Sequence, residues 1–328
     1  MRIFLFMALL LVSSAAQAQR AITLIIPFPP GGSTDIIGRI AADGLAKELG
    51  QAIVVDNRGG AGGAIGAKAI ADAAPDGHTL GLATVSTHVV NPVVRGAALG
   101  YDALRDFTLI SQIAAVPNVV SVHPSVPARN MDEFVSLLKK NPGKLNYGTP
   151  GIGSLGHLIG ETFKHAAQVN IMHVPYKGAG PALNDTLAGQ VQVLFDNLPS
   201  SLPHIQSGKL RALAVASDKR VAALPEVPTF AEAGLPQVND PSWFGLIGPA
   251  RLPDPLVARV RDALVRALKQ SETVKWISFV ISMTEVVIVA RVAWDLASHA
   301  AKRTSAPRDP ARQLLVASKW WSFVMFGA

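Results

Sequence analysis

Two glycine-rich loops, each set between an apolar run and an amphipathic stretch, constrain this chain more than any other feature. The first is Pro27-Phe28-Pro29-Pro30-Gly31-Gly32-Ser33-Thr34-Asp35, and the second is Tyr147-Gly148-Thr149-Pro150-Gly151-Ile152-Gly153-Ser154-Leu155-Gly156. A strand that turns through glycines into a helix leaves unpaired backbone N–H groups at the positive end of the helix dipole. Such a turn holds an anion without a cationic side chain. Two of them, in separate halves of one chain, predict a cleft with an anion-binding jaw on each side.

From Ala21 onward, strand and helix signals alternate. Residues 22–26 read as a strand, and Ile36, Ile37, Ile40, Ala41 and Leu45 follow at helical spacing. Strands at 52–55 and 79–84 around an alanine-rich helix at 64–73 complete a βαβαβ unit, hence a parallel sheet covered by helices. Its ligand edge is the carboxyl end of the strands, where loops 28–33, 58–63 and 84–91 emerge. The pattern restarts after an extended stretch at 107–123. Asn130 with Glu133 three residues later marks a helix start. Strands at 145–147, 171–174, 191–195 and 210–216, with helices at 154–167 and 181–188, make a second α/β unit. A proline-rich stretch at 224–228, a strand at 243–247 and an amphipathic helix from Leu256 follow. Crossings near 116–122 and 242–248 predict a two-segment hinge. The expected organisation is domain 1 at 19–120, domain 2 at 121–242 and a return to domain 1 at 243–275.

The chain of 328 residues has room for two domains, and its lack of cysteine excludes disulfides, thiolate metal sites and a cysteine nucleophile. Its first residues read as an export signal: Arg2, an apolar run at 3–12 and the ending Ala16-Gln17-Ala18. Residues 1–18 are therefore expected to be removed, leaving a periplasmic chain that begins at Gln19. The formal charge is +7, of which Arg2 leaves with the signal. Residues 275–328 carry seven Lys/Arg against three acids, so the body at 19–274 is only about +2. That is not the footprint of a nucleic-acid binder, and no nucleic-acid partner is expected. Four of the five tryptophans lie beyond Val274, whereas 27 of the 28 glycines lie at or before Gly248. This shift sets 276–328 apart as an atypical tail.

The second loop is also a literal G-x-G-x-x-G, so a dinucleotide site must be weighed. That fingerprint needs an acid about 20 residues on to hold the ribose. Here the next strand ends His173-Val174-Pro175-Tyr176-Lys177, and no cofactor is expected. Ile152, two residues before Ser154, breaks the G-x-S-x-G elbow of a serine hydrolase. No P-loop is present, and the eight histidines form no helical zinc pair beside a carboxylate. With no catalytic or metal-ligating set to assign, binding is favoured over catalysis.

The candidate ligand contacts follow from the loops. Phe28 and Pro29 supply an apolar wall, while Gly31, Gly32, Gly151 and Gly153 supply backbone amides. Ser33 or Thr34 either caps its own helix or donates to a carboxylate. Thr84, Ser86, Thr87, Thr149 and Ser154 place hydroxyls at the same strand ends, and His157 follows in the helix. Tyr176, Lys177 and Asp196 stand at the edge of the second unit, with Lys177 as a counter-charge. Asp35 is expected to be structural, because a carboxylate there would repel an anion.

At these residues the chain resembles the periplasmic solute receptors of tripartite tricarboxylate transporters, the Bug-type receptors. The resemblance rests on 27–35, on Asn57-Arg58-Gly59-Gly60-Ala61-Gly62-Gly63, on 147–151 and on Val174-Pro175-Tyr176-Lys177-Gly178. Phe195-Asp196-Asn197-Leu198-Pro199 and Trp243-Phe244-Gly245 complete it, all in family order. It implies an α/β fold of the two-domain class II periplasmic-binding-protein type, a venus-flytrap with mixed sheets flanked by helices. It also implies a non-enzymatic, monomeric receptor for a small carboxylate, partnered by integral-membrane transporter subunits. A ligand sensor for a membrane signalling partner would use the same cleft. Gly59 stands where the family usually has proline, which is expected to loosen that loop and do little else. The tail departs from the family and is expected to be frameshifted or otherwise altered, at a cost in stability.

Overall fold

The computed structural model describes residues 20–269; the expected export signal and the atypical tail lie outside the described residues. Within them the chain runs β1 (Ile22–Ile26), α1 (Ser33–Leu49), β2 (Ile53–Asn57), α2 (Ala64–Ala71) and β3 (Thr79–Thr84). A π-helical turn (Ser86–Val90) leads into α3 (Asn91–Arg95), followed by β4 (Phe107–Val116), β5 (Asn118–Val122) and α4 (Met131–Lys140). Then come β6 (Asn146–Thr149), α5 (Leu155–Ala167), β7 (Met172–Pro175), α6 (Ala179–Leu187), β8 (Val193–Asn197) and α7 (Leu198–Gln206). The last elements are β9 (Arg211–Ala216), β10 (Ser242–Pro249) and α8 (Asp254–Lys269).

Two five-stranded mixed sheets result, ordered β2-β1-β3-β10-β4 and β7-β6-β8-β5-β9. In the first, β1 pairs parallel with β2 and β3, while β10 runs antiparallel to β3 and β4. In the second, β6 pairs parallel with β7 and β8, and β5 runs antiparallel to β8 and β9. The chain leaves the first sheet at Pro117, between β4 and β5, and returns to it between β9 and β10. In both sheets the parallel strands end at the same place, so the helices that follow them start facing one another.

Local sequence explains most of these elements. Ile37, Ala41 and Leu45 of α1 are buried at helical spacing, and Gly50 (φ +63°) ends the helix with its N–H on the Ala46 carbonyl. Asn130 caps α4 by accepting the Glu133 N–H at 2.9 Å, and the Glu133 carboxylate accepts the Arg129 N–H at 2.7 Å. Asn130→Ala is expected to cost about 1 kcal/mol, measurable by urea denaturation. Two segments differ from the sequence reading. The stretch after β3 is helical rather than an open loop, and α7 forms where no helix was expected. Pro199 sits in the first turn of α7, where a missing N–H is tolerated, and Leu198 and Leu202 are buried in the core.

The apolar core does not respect the domain boundary. One cluster joins Leu24, Ile37 and Leu246 of the first sheet's layer to Leu198, Leu202 and Val215 of the second. Another joins Val85 and Val90 to Leu155, Ile159 and Phe195.

Candidate functional site

Four helix starts meet between the sheets. Gly32 begins α1, Ser154 begins α5, Gly178 begins α6 and Asn197 begins α7. They surround a cavity of about 20 Å³, room for about one water, lined among others by Phe28, Gly32, Ser33, Thr34, Thr84 and Ser86. Pro150, Leu155, Gly156, Ala179, Asn197, Ser242 and Phe244 complete much of the wall. Its lining includes no charged side chain. A larger, open groove of about 470 Å³ lies elsewhere, where Lys139, Lys164 and His165 stand at the ends of α4 and α5. Cations in those last turns complement the helix dipoles, so the groove gives no reason of its own to bind a ligand.

The N–H groups decide what the cavity can hold. At α7 they are spent: Leu198 donates to the Pro117 carbonyl at 2.9 Å, Pro199 has none, and Ser200 donates to Ser33 Oγ at 3.0 Å. Ser33 thus caps α7 from the opposite domain, whereas α1 starts at Gly32 with no side-chain cap. Ser33→Ala should strand the Ser200 N–H and cost about 1–2 kcal/mol, with faster amide exchange at Ser200 as the local signature. At the other three helix starts, the N–H groups of Ser33, Thr34, Gly156, Ala179 and Gly180 have no partner among the described residues. The Leu155 N–H is held at 3.0 Å by Ser86 Oγ, again from across the cleft. Five unpaired donors at three positive helix ends make an anion site.

The jaws meet backbone to backbone. A Cβ on Gly180 would lie 2.3 Å from the Pro30 carbonyl oxygen, and one on Gly62 would lie 2.7 Å from the Ile152 oxygen. Gly153 (φ +82°) would place a Cβ 2.5 Å from Asn91 Oδ1. Arg95 closes the rim, donating to the Ile152 carbonyl at 3.2 Å and to Asn91 Oδ1 at 2.7 Å.

Of the residues singled out from sequence, Phe28, Gly32, Ser33, Thr84 and Ser86 line the cavity. Others support it from behind or do not reach it. Gly31 donates its N–H to Asp35, and Thr87 is buried against Thr84. Pro29 is wedged between Gly59 and Gly178, where a Cβ on either glycine would lie 2.4 or 2.3 Å from its ring. Gly59 therefore admits Pro29, a tighter role than the loosening expected of it. Gly151 and Gly153 shape the loop, and Ser154 caps its own helix by accepting the His157 N–H.

Domain 2 residues depart furthest from expectation. Thr149 Oγ1 is paired with His173 Nε2 at 2.6 Å, and His157 stacks on His173 at 4.3 Å instead of lining the cavity. Burial, then the His157 charge, pushes the His173 imidazole down to about 4. Tyr176 donates to Asp185 at 2.7 Å, and burial with that bond pushes its hydroxyl up to about 12. Lys177 is exposed and away from the cavity wall. Asp196 is buried and accepts from Ser200 and Ser201; burial pushes its carboxyl up despite those bonds. Asp35 is tied into its own loop: burial alone would raise its carboxyl, but bonds from Arg39, Asn57 and Gly31 hold it below the usual range. Sequence reasoning missed the start of α6 as a third jaw, although Gly178-Ala179-Gly180 carried the same glycine signal as the other two.

Two mixed sheets flanked by helices, with a cavity ringed by helix starts between them, define a fold of the periplasmic binding-protein type. Residues 37–291 match the model of the tripartite tricarboxylate transporter family receptor, and the chain belongs to that family. It is similar to Protein BugT of Bordetella pertussis, 37% identical over 264 residues, covering 80% of this chain and 81% of that one. A solved periplasmic transporter is 44% identical with a TM-score of 0.79, covering 94% of this chain and 96% of its own. MatC from Rhodopseudomonas palustris, solved with bound malate, is 30% identical with a TM-score of 0.78, covering 93% and 99%. No helix among the described residues is long and apolar enough to cross a membrane.

Proposed function

We propose that the protein is an exported receptor that closes its two domains around a small carboxylate and presents it to an integral-membrane transporter. The carrying observation is the set of five unpaired N–H groups at three converging helix starts, around a cavity whose known lining is uncharged. Backbone donors of this kind match carboxylate oxygens without a cation, and the malate in MatC is a carboxylate. The donors come from both domains, so a ligand that spans them favours the closed form over the open one. On this reading the protein is monomeric, needs no cofactor and turns nothing over.

A thermal-shift and calorimetric screen of purified protein against mono-, di- and tricarboxylates tests the assignment. At least one acid should bind and raise the melting temperature. Binding by none, in protein shown to be folded, would refute it.

A further inference from the structure

We propose that Arg95 latches the two jaws: it is a positioning residue that touches no ligand and sets how much of the time the jaws stand together. The inference rests on the two-jaw closure reading above and is independent of which acid is bound.

The latch is built in two steps. First, Arg95 is fixed on its own side. The Asn91 side chain is fully buried, donates through Nδ2 to the Gly62 carbonyl at 2.8 Å, and accepts Arg95 Nε on Oδ1 at 2.7 Å. Gly62 follows β2 and Asn91 follows β3, so this anchoring needs nothing from the second sheet. Second, the guanidinium reaches across. Its Nη2 donates at 3.2 Å to the Ile152 carbonyl, in the glycine loop that leads from β6 into α5. Ile152 stands between Gly151 (φ +121°) and Gly153 (φ +82°), a turn that glycine takes without strain. The seam is tight there, because a Cβ on Gly62 would lie 2.7 Å from that same carbonyl oxygen.

Holding a long side chain in one rotamer normally cancels most of what a solvent-facing charged group contributes. Here Asn91 has already fixed the guanidinium, so the bond across the seam comes with little further loss of freedom. The planar fork serves Asn91 and Ile152 at once, which a lysine ammonium does less well. Position decides the role. Asn91, Arg95 and Ile152 do not line the cavity, whereas Ser33 and Ser86, which also bond across the seam, are part of its wall. Changing either serine changes ligand contacts as well; changing Arg95 acts on closure and release.

The chain has no cysteine, so Ala98→Cys with Leu158→Cys, two exposed positions on the opposite jaws, takes nitroxide labels at those sites alone. Pulsed spin-resonance distances in the unliganded protein should show a short separation, with the jaws together, beside a longer one. R95A should lower the short-to-long ratio at least threefold, the size expected of a half-exposed charge-assisted hydrogen bond. R95K should restore part of it, and Arg259→Ala, which removes an exposed arginine on α8, should leave it unchanged. A wild-type protein with no short separation, a smaller change in R95A, or an equal change in the Arg259 variant overturns the latch. Stopped-flow malate binding is the second arm: R95A should release malate at least threefold faster without slowing its association. Slower association with unchanged release overturns the latch. Malate that does not bind counts against malate as the ligand, and the distance ratio then decides the latch by itself.

Discussion

Gly180→Ala should weaken ligand binding roughly 5- to 150-fold while leaving the unliganded protein as stable as before, or more so. The reasoning starts from helix chemistry: alanine in place of glycine favours a helix by up to about 1 kcal/mol. In this structure, however, the new Cβ would stand 2.3 Å from the Pro30 carbonyl oxygen of the opposite jaw. That atom is backbone, so relief requires shifting a jaw, and overpacking of this kind costs about 1–3 kcal/mol. If the jaws part as proposed when no ligand is bound, the penalty falls on the liganded form, because Pro30 stands on the jaw opposite Gly180. Calorimetry with a cognate acid and urea denaturation without it separate the two effects. Equal loss of stability in both measurements would show that the contact is part of the fold and not of closure.

The second large effect is on acid stability. His88 packs against Phe107 at 4.7 Å and Tyr101 at 6.4 Å, bonds Thr87 through Nδ1, and leaves Nε2 enclosed without a partner. Burial drives its imidazole down from 6.5 to about 3. The unfolded chain therefore binds a proton in this window that the folded chain refuses. The stabilisation is complete above pH 6.5 and is lost as pH falls toward 3, by at most about 4–5 kcal/mol. His173, down to about 4, adds to the same trend. Urea midpoints measured from pH 7.5 to 4.5 should fall steadily, and His88→Phe should flatten the slope. An equal slope in the variant would assign the acid sensitivity elsewhere.

Much of the architecture was legible because hydrophobic period and glycine position carried it. Residues 22–26 at strand period and 36–45 at helical period, joined through Gly31-Gly32, left little choice about β1 and α1. The hidden parts depended on tertiary contacts. Leu198-Pro-Ser-Ser-Leu-Pro reads as turn chemistry, yet it is helical because two leucines reach the core and a serine from the other domain caps it. His157 follows the fingerprint glycines in sequence, but three residues beyond Ser154 the helix has turned it toward His173. Ser33 illustrates the same limit: its hydroxyl serves a helix 164 or more residues away, which no local pattern encodes.

The core clusters that cross between the sheets bear on how the molecule comes apart. Leu24 and Ile37 share one apolar cluster with Leu198, Leu202 and Val215, so neither lobe can melt without exposing the other's interior. Denaturation of the described region is therefore expected to be a single cooperative event, with coincident transitions by calorimetry and by spectroscopy. A ligand held between the lobes then stabilises the whole molecule at once, and its occupancy is read from one melting temperature.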